Sequence, residues 1–277
     1  MSKTQIFPFG YHLVQNRLVH VSTVWGRNPK GPSIAFIHGL GATGGSWMPL
    51  IKELRKRASR FIYFDIPPHG LSPAPKLPYT FKDAYQLTHD VLIREIEPGE
   101  RTILIGNSLG GAFAMKFAVE EPDYISRAIL ISPAGAPFPT SAYDVLAQFL
   151  PHNMSEARQV LHKIFVEPSV GVVLLTPGFF NVTTSPAFHA LIKSMLEYDT
   201  DPESDIRKLI LKPEELQNCK TPIQLIWGKK DAVLPAGMRD YYDKYLPESS
   251  TRLYPETFGH CPQFEEPAAL AALLNLD

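Results

Sequence analysis

Ser108 lies at the centre of Gly106-Asn107-Ser108-Leu109-Gly110, a segment with the pattern G-x-S-x-G. A strand-like apolar run at 102–105 precedes it, and a helix-like pattern at 109–121 follows it. A sharp strand-to-helix turn exposes the serine hydroxyl, and its glycines let neighbouring backbone pass closely. So short a pattern also arises by chance, but these flanks argue against that reading. We therefore predict that Ser108 is a catalytic nucleophile.

A serine nucleophile needs a general base and a carboxylate that orients this base. With a nucleophile on a strand-to-helix turn, the acid and then the histidine follow it along the chain. His260 comes just after the last strand-like run, and Asp231 comes just after the run at 223–227. The other possible acid position, after the run at 128–131, holds no carboxylate. The sequence therefore predicts a triad of Ser108, Asp231 and His260.

The Gly-rich loop His38-Gly39-Leu40-Gly41 follows a strand-like run at 33–37. An oxyanion needs two preorganised N–H donors close to the nucleophile. We predict that the backbone N–H groups of Leu40 and Leu109 supply them. The loop lacks the patterns of phosphate-binding loops. His38 is an alternative base, although a histidine beside such a loop more often holds it by hydrogen bonds.

Cys261, next to His260, is an alternative nucleophile. Nothing nearby in the sequence obviously lowers the pKa of its thiol. We interpret it as a small residue that fills space. With Cys219 it makes two cysteines, too few for a disulfide framework and without the spacing of a metal site.

Short apolar runs alternate with helical patterns over most of the chain. Runs that are apolar at every position are typical of strands covered on both faces, as in a parallel sheet with crossover helices. The stretch from Tyr11 to Trp25 instead predicts an antiparallel hairpin with its turn near Gln15 to Arg17. We expect an α/β protein with a doubly wound, mostly parallel sheet of about eight strands and this hairpin at its N-terminus.

Between Pro133 and Cys219 the alternation stops, and prolines interrupt four helical patterns, at 141–150, 155–166, 186–198 and 202–211. We predict a helical cap at 136–218, inserted after the sixth strand into a core formed by 1–135 and 219–277. Two interpretations of its apolar residues stay open: they line a substrate pocket, or they only pack the cap on the core. These residues are Val172, Val173, Leu174, Leu175, Phe179 and Phe180.

A second apolar group in this segment falls at helical spacing, and we interpret it as packing rather than as ligand contact. Its members are Leu146, Phe149, Leu150, Ile164 and Phe165. The basic residues of the segment are scattered, which is typical of a solvated face.

The chain resembles the α/β-hydrolase superfamily over nearly its whole length. The matching elements are HGLG at 38–41, DIPPHGLS at 65–72, GNSLGG at 106–111, WGKKD at 227–231 and Gly259-His260. The resemblance implies a serine hydrolase of the carboxylesterase or lipase type, with no metal and no organic cofactor. It also implies that Asp65 and His69 fix a loop, with His69 as a possible pocket residue.

The substrate is less specified than the fold, because fold does not determine chemistry. We expect a small hydrophobic ester, cleaved through an acyl-enzyme; thioester, lactone and amide bonds are close alternatives. Ring-cleavage C–C hydrolases look similar around Ser108, but they commonly have tryptophan after the catalytic histidine, where this chain has Cys261. A non-catalytic ligand receptor on the same fold is the third alternative.

Composition narrows the choice of partners and location. The 277 residues carry a formal net charge of −1, so no nucleic-acid or anionic-membrane partner is indicated. The N-terminus has no apolar core of signal-peptide length, and the most apolar stretch, Val170 to Phe180, is too short to span a bilayer. We expect a cytoplasmic protein without a membrane span, and its oligomeric state stays open.

Overall fold

The computed structural model describes residues 9–137, 147–167, 173–196 and 207–276. An eight-stranded sheet forms its centre, with the spatial order β1-β2-β4-β3-β5-β6-β7-β8. The strands are β1 Phe9–Val14, β2 Arg17–Trp25, β3 Ser33–Ile37, β4 Arg60–Phe64, β5 Thr102–Asn107, β6 Arg127–Ile131, β7 Ile223–Ile226 and β8 Thr251–Leu253.

Strands β1 and β2 form the predicted antiparallel hairpin, with Gln15 and Asn16 at positive φ in its two-residue turn. β2 also pairs antiparallel with β4, and every pair from β4 to β8 is parallel. The predicted α/β class, strand number and N-terminal hairpin are confirmed. The carboxyl ends of β3, β5, β6, β7 and β8 meet at one edge, where open α/β sheets bind ligands.

Helices cover both faces of the sheet. They are α1 Met48–Leu54, α2 Phe81–Glu95, α3 Leu109–Glu120, α4 Met154–Ile164, α5 Thr176–Thr183, α6 Pro186–Leu196, α7 Pro213–Gln217, α8 Ala236–Tyr245, α9 Pro262–Glu265 and α10 Pro267–Leu273, with 3-10 turns at Gly44–Trp47 and Arg207–Leu209. No helix in the described ranges is long and apolar enough to cross a bilayer.

Alternate residues of a central strand belong to two different cores. In β3, Ile34 and Phe36 pack with Trp47 and α1 on one face, whereas Ala35 and Ile37 pack with α2 and α3 on the other. Because both faces are covered, the strand is apolar at every position. This arrangement explains the uninterrupted apolar runs of the sequence.

Residues 136–218, which lie between β6 and β7 and are here called the insertion, contain the helices α4 to α7 in their described part. The helical patterns predicted at 155–166 and 186–198 correspond to α4 and α6. Most of the helical pattern at 141–150, and the first half of that at 202–211, lie outside the described residues. The second half contains a 3-10 turn, Arg207–Leu209, instead of an α-helix.

Candidate active site

Ser108 stands in a strained turn between β5 and α3, with φ 55° and ψ −119°. Such a conformation costs about 1–3 kcal/mol and persists only where the surroundings enforce it. A Cβ on Gly106 would lie 2.1 Å from the carbonyl oxygen of Gly110, and one on Gly110 would lie 2.1 Å from that of Ile37. The glycines of the motif are therefore required by the close approach of backbone on both sides of the turn.

His260 and Asp231 form a buried pair at the same edge of the sheet. The Nδ1 atom of His260 lies 2.8 Å from Oδ2 of Asp231. The other carboxylate oxygen of Asp231 accepts hydrogen bonds from the backbone N–H groups of Val233 (2.8 Å) and Leu234 (3.2 Å). Since an ionised carboxylate only accepts, His260 donates from Nδ1, and Nε2 is left as the basic nitrogen.

The environment of Asp231 keeps its carboxylate ionised. Burial alone would raise its pKa, but the charge and hydrogen bond of His260 and the N–H of Val233 outweigh that effect, so the pKa of Asp231 is lowered. An ionised Asp231 can hold the imidazole in one tautomer and stabilise its protonated form.

The loop after β3 lies directly against Ser108. A Cβ on Gly39 would be 3.1 Å from Cβ of Ser108. The N–H of Gly41 donates to Nε2 of His69 and that of Ala42 to the carbonyl of Gly39. With those two N–H groups engaged, the N–H of Leu40 is retained as a candidate to bind an oxyanion.

Leu109 begins α3, so its N–H belongs to the first turn of a helix, whose N–H groups have no partner within the helix. That turn also carries the positive end of the helix dipole. Both features suit a donor to a developing negative charge beside Ser108.

His38 is bound to backbone at both ring nitrogens. Its Nδ1 donates to the carbonyl of Gly39 (2.8 Å), and its Nε2 accepts from the N–H of Ile66 (2.9 Å). Burial lowers the pKa of His38, which favours the neutral form. These contacts describe a histidine that holds two loops together and has no free nitrogen to act as a base.

Asp65 connects the hairpin to the loops around the site. Its carboxylate accepts from the N–H groups of Gly44 (2.7 Å) and Leu71 (3.0 Å) and contacts Nδ1 of His20 (2.9 Å). Gly70, at φ 58°, lies so close to this carboxylate that a Cβ there would be 2.3 Å from Cγ of Asp65.

Sequence reasoning missed Asn107, the residue before Ser108. Its buried side-chain amide donates to the carbonyl oxygens of His260 (2.9 Å) and Ile131 (3.1 Å). Its Oδ1 accepts from Nε2 of Gln263 at 3.1 Å, with the thiol of Cys261 at 3.6 Å. Asn107 thus attaches the His260 loop to the turn at Ser108. The available signal in the sequence was a polar side chain that follows the apolar run 103–105 of this strand.

Replacing Asn107 with leucine should lower kcat for ester hydrolysis about ten- to a hundredfold and leave KM within about twofold, because the His260 loop loses its donor and a buried carbonyl is left unpaired. Steady-state kinetics on a p-nitrophenyl ester would measure this. Gln263→Met, which removes one bond to Oδ1, should have a much smaller effect. A kcat for Asn107→Leu within twofold of wild type would contradict the role.

The thiol of Cys261 is poorly suited to nucleophilic chemistry. Burial, followed by the nearby carboxylates of Asp231 and Glu265, raises its pKa. A thiol that stays protonated is a weak nucleophile. Within the described residues no cluster of histidine, cysteine and carboxylate side chains could hold a metal ion.

Ser108 and His260 line one cavity of about 550 Å³. Apolar side chains of the insertion also line it: Phe149, Leu161, Ile164, Phe165, Phe179 and Met195. Phe149, Ile164 and Phe165, predicted to be packing residues, are buried in the core and also line this cavity. Helical spacing identifies a buried face but not whether protein or an empty cavity lies opposite it.

The apolar residues at 172–175, 179 and 180 were left with two interpretations, lining a substrate pocket or packing the cap on the core. Their positions in the structure differ from one another. Leu175 and Phe179 line the cavity, Phe180 packs against the core, and Leu174 is exposed. Val172 lies outside the described residues.

No lysine or arginine is among the described residues that line the cavity. The segments 138–146, 168–172 and 197–206, which lie outside the described residues, contain neither residue type in their sequence. Arg158, Lys163 and Lys193 of the insertion are exposed. The described part of the cavity wall therefore offers no lysine or arginine side chain to a charged substrate group.

Comparison with known proteins agrees with this architecture. Residues 32–267 match the family defined by the alpha/beta hydrolase fold, so the chain belongs to that family. A Mycobacterium tuberculosis protein of uncharacterised function is 29% identical over 260 residues, which cover 86% of this chain and 73% of that protein. The pimeloyl-[acyl-carrier protein] methyl ester esterase of Nitrosomonas europaea is 25% identical over 255 residues, covering 88% and 93%.

Among solved structures, the 2-hydroxy-6-oxo-6-phenylhexa-2,4-dienoate hydrolase of Rhodococcus sp. strain RHA1 superposes with a TM-score of 0.79 at 21% identity, covering 96% of each chain. At this identity the likeness concerns the fold alone.

Proposed function

We propose that the protein is a serine hydrolase that cleaves carboxylic esters of hydrophobic acyl or alcohol groups through an acyl-enzyme on Ser108. The observation that carries the proposal is the buried His260–Asp231 pair, 2.8 Å apart, at the cavity that Ser108 also lines. The strained turn at Ser108 and the methyl ester esterase relative from Nitrosomonas europaea support it.

In the proposed reaction, Oγ of Ser108 attacks the ester carbonyl carbon while Nε2 of His260 takes the hydroxyl proton. The N–H groups of Leu40 and Leu109 stabilise the resulting oxyanion, and Asp231 stabilises the imidazolium. Collapse of the tetrahedral intermediate breaks the bond to the alkoxy group, which leaves as the alcohol with the proton from His260. Water then attacks the acyl-enzyme by the same steps and releases the carboxylic acid.

We assign the insertion the role of a cap over the active site, within the boundaries 136–218. Its apolar side chains line the same cavity as Ser108, which suits an uncharged, hydrophobic group of the substrate. The division into a core of 1–135 and 219–277 and a helical cap follows from this role.

Hydrolysis of a C–C bond is the second candidate, suggested by the similarity of fold to the Rhodococcus hydrolase. The substrate in that protein's name is a dienoate and therefore carries a carboxylate. A carboxylate removed from water needs a cationic or strong hydrogen-bonding partner. The absence of lysine and arginine from the described cavity wall favours an uncharged ester.

The decisive comparison uses p-nitrophenyl esters from acetate to octanoate and a vinylogous diketone acid at matched concentrations, with Ser108→Ala as control. Each methylene that fills the apolar cavity is worth about 0.8 kcal/mol, so kcat/KM should rise about fourfold per methylene until the cavity is full. Highest activity on acetate would refute the acyl-binding role of the cavity. Faster turnover of the diketone than of every ester would refute esterase function.

A further inference from the structure

His69 lies beneath the loop that follows β3 and is almost completely buried. Its Nδ1 donates to the carbonyl of Ile66 at 2.7 Å, and its Nε2 accepts from the N–H of Gly41 at 2.9 Å. One ring nitrogen thus anchors the side chain, and the other holds the residue that follows Leu40. Nothing else in the site bonds to that N–H among the described residues.

Gly41 occupies a position that only glycine fits well. Its φ is 76°, and a Cβ there would lie 2.7 Å from the ring of Phe179 in α5. The loop is consequently enclosed, with His69 bonded to its backbone and Phe179 packed on Gly41. The N–H of Gly41 belongs to the peptide unit directly after Leu40, so its bond to His69 constrains the backbone on that side of Leu40.

The insertion also contacts His69 itself. Phe188 of α6, fully buried, makes an edge-to-face contact with the His69 ring at 5.9 Å between centroids. The ring of His38 makes a similar contact at 5.0 Å. The His69 imidazole is therefore held by two hydrogen bonds and two rings.

We propose that His69 is a positioning residue that orients the N–H of Leu40 toward the oxyanion. Phe188 of the insertion holds the His69 ring in place. The inference rests on the proposed esterase function. It makes the insertion more than a wall of the pocket, because α6 takes part in shaping the oxyanion site.

The proposed role requires a neutral imidazole, because a protonated ring has no lone pair to accept the N–H of Gly41. Burial, and then the neighbouring His38, lower the pKa of His69 to about 3. The acceptor therefore remains available throughout the neutral and mildly acidic range.

The test compares His69→Asn with His69→Gln. The Asn side chain retains a donor near the position of Nδ1 but does not reach Gly41, whereas the Gln oxygen reaches the position of Nε2. The measurements are kcat and KM on a p-nitrophenyl ester and the affinity for an alkyl boronic acid, whose tetrahedral adduct places an oxygen in the oxyanion site.

For His69→Asn we expect kcat to fall about ten- to a hundredfold, boronate affinity to fall in parallel, and KM to stay within about twofold, because oxyanion donors act mainly in the transition state. His69→Gln should recover most of the loss. Phe188→Leu should lower kcat about two- to tenfold. Phe61→Leu is a matched change in the core on the other face of the sheet, and it should lower only the melting temperature.

Unchanged kcat and boronate affinity in His69→Asn, with only a lower melting temperature, would overturn the proposal and leave His69 as a packing residue. If His69→Asn fails to fold, Phe188→Leu decides the matter by the same two readouts. A wild-type protein without Ser108-dependent ester hydrolysis would overturn the proposed function and this inference together. Active wild type with unaffected variants would overturn the role of His69 alone.

Discussion

Ser108→Ala should lower kcat for p-nitrophenyl esters about a millionfold, the scale of loss seen when a triad nucleophile is removed. Without Oγ no acyl-enzyme can form, and only the oxyanion donors and substrate binding remain. The variant should also resist labelling by a fluorophosphonate probe, which wild type should accept at one site per chain. Removing the Ser108 side chain leaves the His260–Asp231 contact in place, so folding should be preserved.

Ser249→Ala is a suitable control, because Ser249 is exposed and is not among the residues that line the cavity. It should be labelled and should turn over ester like wild type. Labelling of Ser108→Ala at the wild-type rate would show that another group is the nucleophile. A wild-type protein that binds ester without turnover or labelling would instead favour a non-catalytic receptor.

Asp231→Asn should lower kcat about ten-thousandfold with little change in fold or KM. The asparagine is nearly isosteric, but its amide can present a donor to Nδ1 of His260, which then places the imidazole proton on Nε2. In that tautomer His260 cannot accept the proton of Ser108. The loss of the negative charge also removes the stabilisation of the imidazolium that forms in the transition state.

Asp240→Asn tests whether loss of any carboxylate near α8 matters, because the Asp240 side chain is exposed and pairs only with the neighbouring Arg239 among the described residues. Its kcat should equal that of wild type. Burst kinetics would separate acylation from deacylation in Asp231→Asn, and both steps should be slow. A kcat for this variant within tenfold of wild type would mean that another carboxylate orients His260.

Much of the fold could be predicted because its signals are local. The apolar runs at 33–37 and 102–105 require a strand that is buried on both faces, and the five residues 106–110 specify a turn through the steric needs of two glycines. The helix α2 was not predicted from such a local signal. Its capping box, Thr80 with Asp83, is visible in the sequence, but the apolar face behind it became recognisable only against α3 and β1.

The sequence by itself determined the family architecture and a short set of candidate residues, because strand ends in a parallel sheet place Ser108, Asp231 and His260 at one edge. The contact between His260 and Asp231 was decided by the tertiary structure, as were the attachment of the His260 loop by Asn107 and the acceptor role of His69. These contacts join residues far apart in the chain, and no local pattern specifies which side chains meet. The same reason explains why Phe149 and Phe165, predicted to be packing residues, line the cavity: a helical stripe specifies which face is buried, and only the packed chain decides what faces it.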